Sequence, residues 1–208
     1  ARPDIVDRNG EILATDVKTV SVFAEPKRII DKDEAVELIT AVLPDLDAKE
    51  LREKLGSKRG FVWLKREITP RQQQEVYRLG LPGIGFMPEN KRVYPNGPAV
   101  SHVLGFTNLD NQGIAGIEKY IDGQGLAALS MAGLTTDPSD MKPVQLSLDL
   151  RVQHAVRDEL TRGMDKYKAK AAASLVLDVT TGEVVSLVSL PDYDPNVPTD
   201  ALSADRIN

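Results

Sequence analysis

Apolar positions change their period several times along the 208-residue chain. The segment from Asp4 to Ala14, DIVDRNGEILA, alternates on either side of Asn9-Gly10, the pair best able to take the positive φ angles of a type I′ turn, and predicts a hairpin. Val17 to Ala24 continues as a strand of β-branched residues. In DEAVELITAVL the spacing of Val36, Ile39 and Leu43 predicts a helix, with Asp31 or Asp33 as its N-cap. Asp47-Ala-Lys-Glu50 reads as a capping-box variant opening a second helix that Gly56 closes. Phe61 to Leu64 reads as a buried strand. Thr69-Pro70 then starts a third helix through Val76 and Leu79, ended by Gly80 and Pro82-Gly83.

From Gly83 to Asp122 the glycine and proline density predicts short strands and turns wrapped on a core. Between Arg92 and Asp122 this stretch carries Tyr94, Pro95, His102 and Glu118 among Gly97, Gly105, Gly113 and Gly116, with Gly123 just beyond. Such a segment reads as a shaped connector, because glycine is best explained where φ is positive or two backbones come close. Residues 123–142 read as a helix or loop and a polar linker, with a domain boundary near Pro143. Beyond it, Val144 to Leu148 predicts a strand, and Asp149 caps a helix bearing Val152, Val156 and Leu160. Two apolar runs, Ala171 to Val179 and Glu183 to Leu190, meet at Thr180-Thr-Gly182. Their continuous apolarity predicts a hairpin covered on both faces. The fold class is α+β, with domains over 1–142 and 143–208.

Composition narrows the function. Twenty-six basic residues against 31 acidic give a net charge of −5, the wrong sign for a phosphate-backbone binder, so no nucleic-acid partner is expected. The chain contains no cysteine and 2 histidines, which argues against a disulfide framework or a zinc centre. No apolar run approaches the roughly 20 residues needed to cross a bilayer.

Candidate chemistry is sparse. Ser139-Asp-Met-Lys142 fits the S-x-x-K pattern of a lysine-activated serine nucleophile. With 10 serines and 13 lysines in the chain, about 0.6 such matches arise by chance. Pro138 and Pro143 bracket it, and no Ser-x-Asn, Lys-Thr-Gly or Lys-Ser-Gly accompanies it. Asp192, Asp194 and Asn196 begin like a calcium loop, but Val197 stands where that loop needs glycine and Ser203 where it needs glutamate. His154 reads as an ordinary helix residue, and His102 as one that orients backbone in the connector. Neither Gly83-Ile-Gly85 nor Gly123-Gln-Gly125 continues into a dinucleotide fingerprint, and no cofactor is expected.

Three segments together resemble the non-catalytic module of class B penicillin-binding proteins, nearest to the septum-building peptidoglycan D,D-transpeptidases of cell division. Arg2, Asp7, Arg8, Asn9 and Gly10 resemble the family's first motif, Arg-Gly-x-Ile-x-Asp-Arg, with Pro3 in place of its glycine. Arg92-Val-Tyr94-Pro95 resembles the second, and Gly113-Ile-Ala-Gly116-Ile-Glu118 the third. QLSLDLRVQHAVRDEL and LVLDVTTGEVVSLVSLPDYDPN resemble the opening helix and first two strands of the transpeptidase domain.

The resemblance implies a dimerisation-type pedestal followed by the first part of a transpeptidase domain without its active-site serine. It implies a periplasmic role, with the parent protein anchored to the inner membrane by a helix absent here. It also implies contacts with the rest of the transpeptidase domain and with other cell-division membrane proteins. Its structural residues are Arg2, Asp7, Arg8, Gly10, Arg92, Tyr94, Pro95, His102, Gly105, Gly113, Gly116 and Glu118. We expect Arg2, Arg8 and Arg92 to gather around Asp7 and Glu118, because bidentate arginine–carboxylate pairs fix geometry where connectors meet. We also expect the 171–190 hairpin, stripped of sheet partners, to be mobile, covered or self-associated. The competing expectations are a free-standing periplasmic adaptor and a small serine hydrolase using Ser139 and Lys142.

Overall fold

The chain divides into two units, an inserted unit of Lys18–Lys91 and a main unit built from Ala1–Val17 and Arg92–Asn208. The computed structural model describes residues 1–126 and 141–198. The chain passes from one unit to the other inside two strands, β2 (Ile12–Ala24) and β4 (Ile84–Val93).

In the inserted unit the end of β2 pairs antiparallel with β3 (Val62–Ile68), matching Val20 with Ile68 and Ala24 with Val62. Three capped helices accompany the strands. The Asp31 carboxylate accepts the Asp33 and Glu34 N–H groups at 3.0 Å and starts α1 (Lys32–Val42). Asp47 caps α2 (Ala48–Gly56) through the Glu50 N–H. Thr69 and Gln72 form a reciprocal capping box, with Pro70 at the first position of α3 (Pro70–Arg78), so orphan donors at each helix start are satisfied locally. Gly56 is the last residue of α2 rather than the stop after it, since Ser57 closes the helix from extended backbone. Val22, Ala24, Val36, Ile39, Leu43, Leu51, Leu55, Leu64, Ile68 and Val76 form the core, each large aliphatic contributing on the order of 1.5–3 kcal/mol when fully buried.

In the main unit β1 (Ile5–Val6) pairs antiparallel with the start of β2 and parallel with β5 (Val144–Gln145). The first connection is not a type I′ turn. The Gly10 N–H reaches Asp7 O at 3.1 Å and the Asp7 N–H reaches Glu11 O at 2.9 Å, and within this turn only Gly10, at φ 87°, is left-handed. Asn9 keeps negative φ because its own N–H is held by the Asp7 carboxylate at 2.7 Å. The expected strand over 144–148 is cut to its first two residues. Leu148 O accepts the Arg8 N–H and the Asp149 N–H turns to Val185 O, both at 2.9 Å.

The expected short strands over 83–122 give way to the ten-residue β4 followed by helical turns. A 3₁₀ turn over Gly97–Val100 leads into α4 (Ser101–Leu104). Next come α5 (Gly116–Ile121) and a single π turn over Asp122–Leu126. Asp149 caps α6 (Leu150–Tyr167), which packs on the hairpin of β6 (Ala172–Leu177) and β7 (Val184–Leu190). Ile5, Leu13, Tyr94, Val100, Leu104 and Ile121 form the core of this unit.

The hairpin follows its expected register, Ala172 opposite Leu190 and Leu175 opposite Leu187, but it is covered on one face only. Ser186, Val188 and Leu190 are buried, while Leu175 and Leu177 are 54% and 50% exposed. No described helix is long and apolar enough to cross a membrane.

Candidate functional site: a buried arginine–carboxylate joint

Glu118, on the first turn of α5, is fully buried and held by two arginines from distant parts of the chain. Arg2 Nε donates to one carboxylate oxygen at 2.8 Å and Arg92 Nε to the other at 2.7 Å. Arg2 also donates to the Glu118 backbone oxygen at 2.6 Å, to Asp122 Oδ1 at 2.6 Å and to the Asn111 carbonyl at 3.0 Å. Asp16 closes the network, accepting from Arg92 at 3.2 Å, from the Arg2 N–H at 2.9 Å and from the Asn111 amide at 2.9 Å. Burial opposes the charge on Arg92, but Glu118 and then Asp16 outweigh it and hold the guanidinium above the ordinary arginine pKa. Burial, followed by the Glu118 charge, pushes the neighbouring Tyr94 hydroxyl upward and keeps it neutral. Arg2 and Arg92 are engaged with Glu118, Asp16 and Asp122, an arrangement suited to fixing geometry, while Arg92 Nη2 and the Tyr94 hydroxyl are buried without a hydrogen-bond partner among the described residues.

The glycines supply the approach that the joint needs. Gly105 (φ 72°) and Gly116 (φ 60°) lie backbone to backbone. A Cβ on Gly116 would stand 2.6 Å from the Gly105 nitrogen and from the Leu104 carbonyl, and one on Gly105 would overlap the Ala115 carbonyl. Gly113 sits against the Glu118 carbonyl in the same way, and its N–H bonds Asp122. The predicted connector is thus a place where backbone segments touch.

Asp7 and Arg8 lie outside this joint, against expectation. The buried Asp7 carboxylate organises its own turn, accepting from the Asn9 N–H at 2.7 Å, the Glu11 N–H at 2.9 Å and the Leu150 N–H at 3.0 Å. Arg8 pairs with Glu183 at 2.7 Å. Asp7 is drawn away because the turn points its free donors at the carboxylate and brings the start of α6 alongside, and Arg8 because its partner is Glu183.

Burial raises the Asp7 pKa, but the backbone donors of Leu150, Glu11 and Asn9 outweigh it and leave it below 3.8. A depressed carboxyl stabilises the fold fully above its unfolded pKa of about 3.9, and that stability is lost as pH falls through the lower folded value. Asp7→Asn should therefore cost about 2–3 kcal/mol at pH 7, with the difference from wild type shrinking below about pH 4. Urea unfolding of both proteins at pH 7 and pH 3 checks this.

A second set of contacts ties Tyr94 to Val100 onto the later part of the chain. The Tyr94 N–H donates to Asn196 Oδ1 at 2.9 Å, and Asn196 Nδ2 returns a bond to Tyr94 O at 3.0 Å, as a paired strand would. The exposed Pro95 lies in the turn that the Gly97 N–H closes on Tyr94 O. His102 Nε2 lies 3.1 Å from Pro191 O. A carbonyl only accepts, so this nitrogen carries the proton. The Tyr193 ring stands edge-on to His102, and its hydroxyl donates to Ser101 O at 3.2 Å. Gln153, buried on α6, donates to Ala99 O at 2.8 Å and Leu187 O at 2.6 Å and accepts from Ser186 and Leu187 at 3.0 Å.

Asp16, Asp122, Gln153 and Asn196 are the members that sequence reasoning missed as structural residues. Asn196 stood out only as part of a possible calcium loop. Its neighbour Asp192 is instead paired with Arg157 at 2.6 and 3.1 Å, and Asp194 accepts the Asn196 N–H at 2.9 Å. Among the described residues no cluster suited to a metal ion occurs. His154 is exposed beside Asp7, Glu11 and Arg151. Lys142 is exposed, while Ser139 and Ser203 lie outside the described residues.

Residues 1–124 match the family model for the penicillin-binding protein dimerisation domain. The chain belongs to that family. It is the class B type of this module, similar over its full length to septal D,D-transpeptidases. It is 36% identical over 209 residues to the probable peptidoglycan D,D-transpeptidase FtsI of Caulobacter vibrioides, covering all of this chain and 34% of that relative. The Helicobacter pylori penicillin-binding protein PBP2 superposes with a TM-score of 0.66 at 27% identity, over 99% of this chain and 45% of that one. The same protein in complex with MreC superposes with a TM-score of 0.65 at 24% identity, over 95% of this chain and 42% of that one. The chain therefore spans about a third of the length of the curated relative and under half of the solved one.

Proposed function

We propose that this chain is the non-catalytic support module of a periplasmic, membrane-anchored peptidoglycan D,D-transpeptidase of septal wall synthesis. Its role is to hold the catalytic domain in place and to receive contacts from other division proteins. Residues 1–142 act as the pedestal and 143–208 as the start of the transpeptidase domain. The single observation that carries the reading is the buried Glu118 joint, with Tyr94 clamped by Asn196 beside it. It fastens the chain's start and its glycine-rich segment to the stretch that would lead into catalysis. The open face of the β6–β7 hairpin, with Leu175 and Leu177 exposed, suits the rest of that domain packing against it. MreC bound to the PBP2 relative supports a role in protein assemblies.

Incubation with a fluorescent penicillin tests the reading. The 208-residue chain should take no label, while the parent protein, expressed with its flanking sequence, should acylate at a serine outside this chain. Labelling at Ser139 would overturn it in favour of a small serine hydrolase. A gene with no transpeptidase sequence beyond Asn208 would leave the free-standing adaptor.

A further inference from the structure

The sheet of the inserted unit buries one face under its helices and carries an aromatic platform on the other. Val22, Ala24, Val62 and Leu64 enter the core, so the alternate residues Phe23, Phe61 and Trp63 point away from it. Their rings pack together, Phe23 stacked on Phe61 at 4.8 Å and Trp63 edge-on to Phe61 at 4.8 Å. The chain has 4 Phe and 1 Trp, so most of its Phe and Trp content lies outside the core in this patch. The Phe23 ring occupies the space where a Cβ on Gly85 would stand. Phe61 and nearby Met87 are 39% and 40% exposed.

A bulge in β3 completes the platform. Val20 faces Ile68 while Val22 faces Lys65, leaving Arg66 and Glu67 to be accommodated opposite Ser21. Glu67 takes φ 55° and donates its N–H to Ser21 Oγ at 3.0 Å. Bulges re-aim side chains, and a left-handed non-glycine residue persists only where its surroundings enforce it. Here Arg66 lies 4.7 Å over the Trp63 ring and is held by both oxygens of Glu89 at 2.8 Å. Just before Phe61, Lys58 and Arg59 are exposed and make no ion pair with a described residue.

We propose that this platform docks an acidic protein segment that carries apolar anchor residues. Tryptophan, phenylalanine, methionine and arginine dominate the centres of protein interfaces, with charges at the rim. The cations at this rim, which pair with no described residue, select for carboxylates. The rings pack against one another, Phe23 stacked on Phe61 and Trp63 edge-on to both, and so present a joined surface suited to another protein rather than separate side chains protruding into a bilayer. The assignment concerns a different unit from the Glu118 joint and stands whether or not the parent protein cross-links peptidoglycan.

The test selects random 12-residue phage-displayed peptides on the 208-residue chain, with counter-selection on the Lys58→Glu/Arg59→Glu variant, whose changes lie in an exposed turn. The recovered peptides should place Asp or Glu around Phe, Leu or Trp and change the emission of Trp63. They should bind at least tenfold more weakly to the charge-reversed variant and to Phe61→Ser, each checked for an unchanged thermal transition. The proposal is overturned if no variant-sensitive peptide is recovered, if the winners are not acidic, or if Trp63 emission is unaffected. Phosphatidylglycerol vesicles that shift Trp63 while the peptides do not would assign the patch to a membrane instead.

Discussion

Glu118→Ala should cost the chain about 3–5 kcal/mol, the range for removing one partner from a buried ion pair. Two charge-assisted hydrogen bonds vanish, from Arg2 Nε and Arg92 Nε, each worth about 1.5–3 kcal/mol. Both donors stay buried, because Arg2 and Arg92 are 3% and 6% exposed. The network is not thereby a source of net stability. Desolvating its charges costs several kcal/mol per ion, and an apolar replacement of the whole set can be as stable. What it supplies is a fixed geometry, and losing one member leaves the others wrongly placed.

Urea unfolding measures this loss. Trp63 is the chain's 1 tryptophan and lies in the inserted unit, so its fluorescence follows that unit while circular dichroism follows both. The variant's dichroism midpoint should fall well below that of Trp63, with two transitions where two-state behaviour fails. Glu118→Gln, which keeps an acceptor, should lose less. A loss under about 1 kcal/mol for the alanine variant would be that of a surface pair.

Gly116→Ala should be nearly as damaging, at about 3 kcal/mol or more. A left-handed residue with a Cβ costs roughly 1–2 kcal/mol, and overpacking against atoms that cannot move adds about 1–3 kcal/mol. The atoms in the way are backbone, the Gly105 nitrogen and the Leu104 carbonyl at 2.6 Å, so no rotamer change relieves them. Gly163→Ala is the contrasting control. Gly163 lies inside α6 with nothing within 4 Å of its would-be Cβ, and the substitution should stabilise by about 0.5–1 kcal/mol. Thermal melts of the two variants should therefore move in opposite directions. A Gly116→Ala protein that melts like wild type would remove the close backbone approach from the account.

The helices of the inserted unit were readable from the sequence because their signals are local. Asp31, Asp47 and Thr69-Pro70 announce their caps within four residues, and the spacing of Val36, Ile39 and Leu43 marks the buried face. The 172–190 hairpin was readable for the same reason. The joint was readable in part. Resemblance to family motifs singled out Arg2, Arg92 and Glu118, and an argument from arginine–carboxylate pairing brought them together, although each arginine meets the Glu118 carboxylate through Nε alone and not as the expected bidentate pair. Asp16 and Asp122 were missed because nothing around them in the sequence marks a partner 76 or 120 residues away. Arg8 and Asp7 were misplaced because charge alone does not tell a bridging carboxylate from one that caps its own turn. The exposed Leu175 and Leu177 depart from the cover on both faces that continuous apolarity predicts and fit the expectation of a hairpin without its sheet partners, two outcomes that periodicity alone does not separate.

Hydrogen exchange read by mass spectrometry on wild type and Glu118→Ala tests the central claim most directly, namely that Glu118 fastens the separate segments of the main unit into one piece. Peptides from residues 1–16, 92–122 and 144–160 should lose protection together, while those of the inserted unit, which has its own core, keep theirs. Loss confined to the neighbourhood of residue 118, or spread equally through residues 18–91, would contradict it.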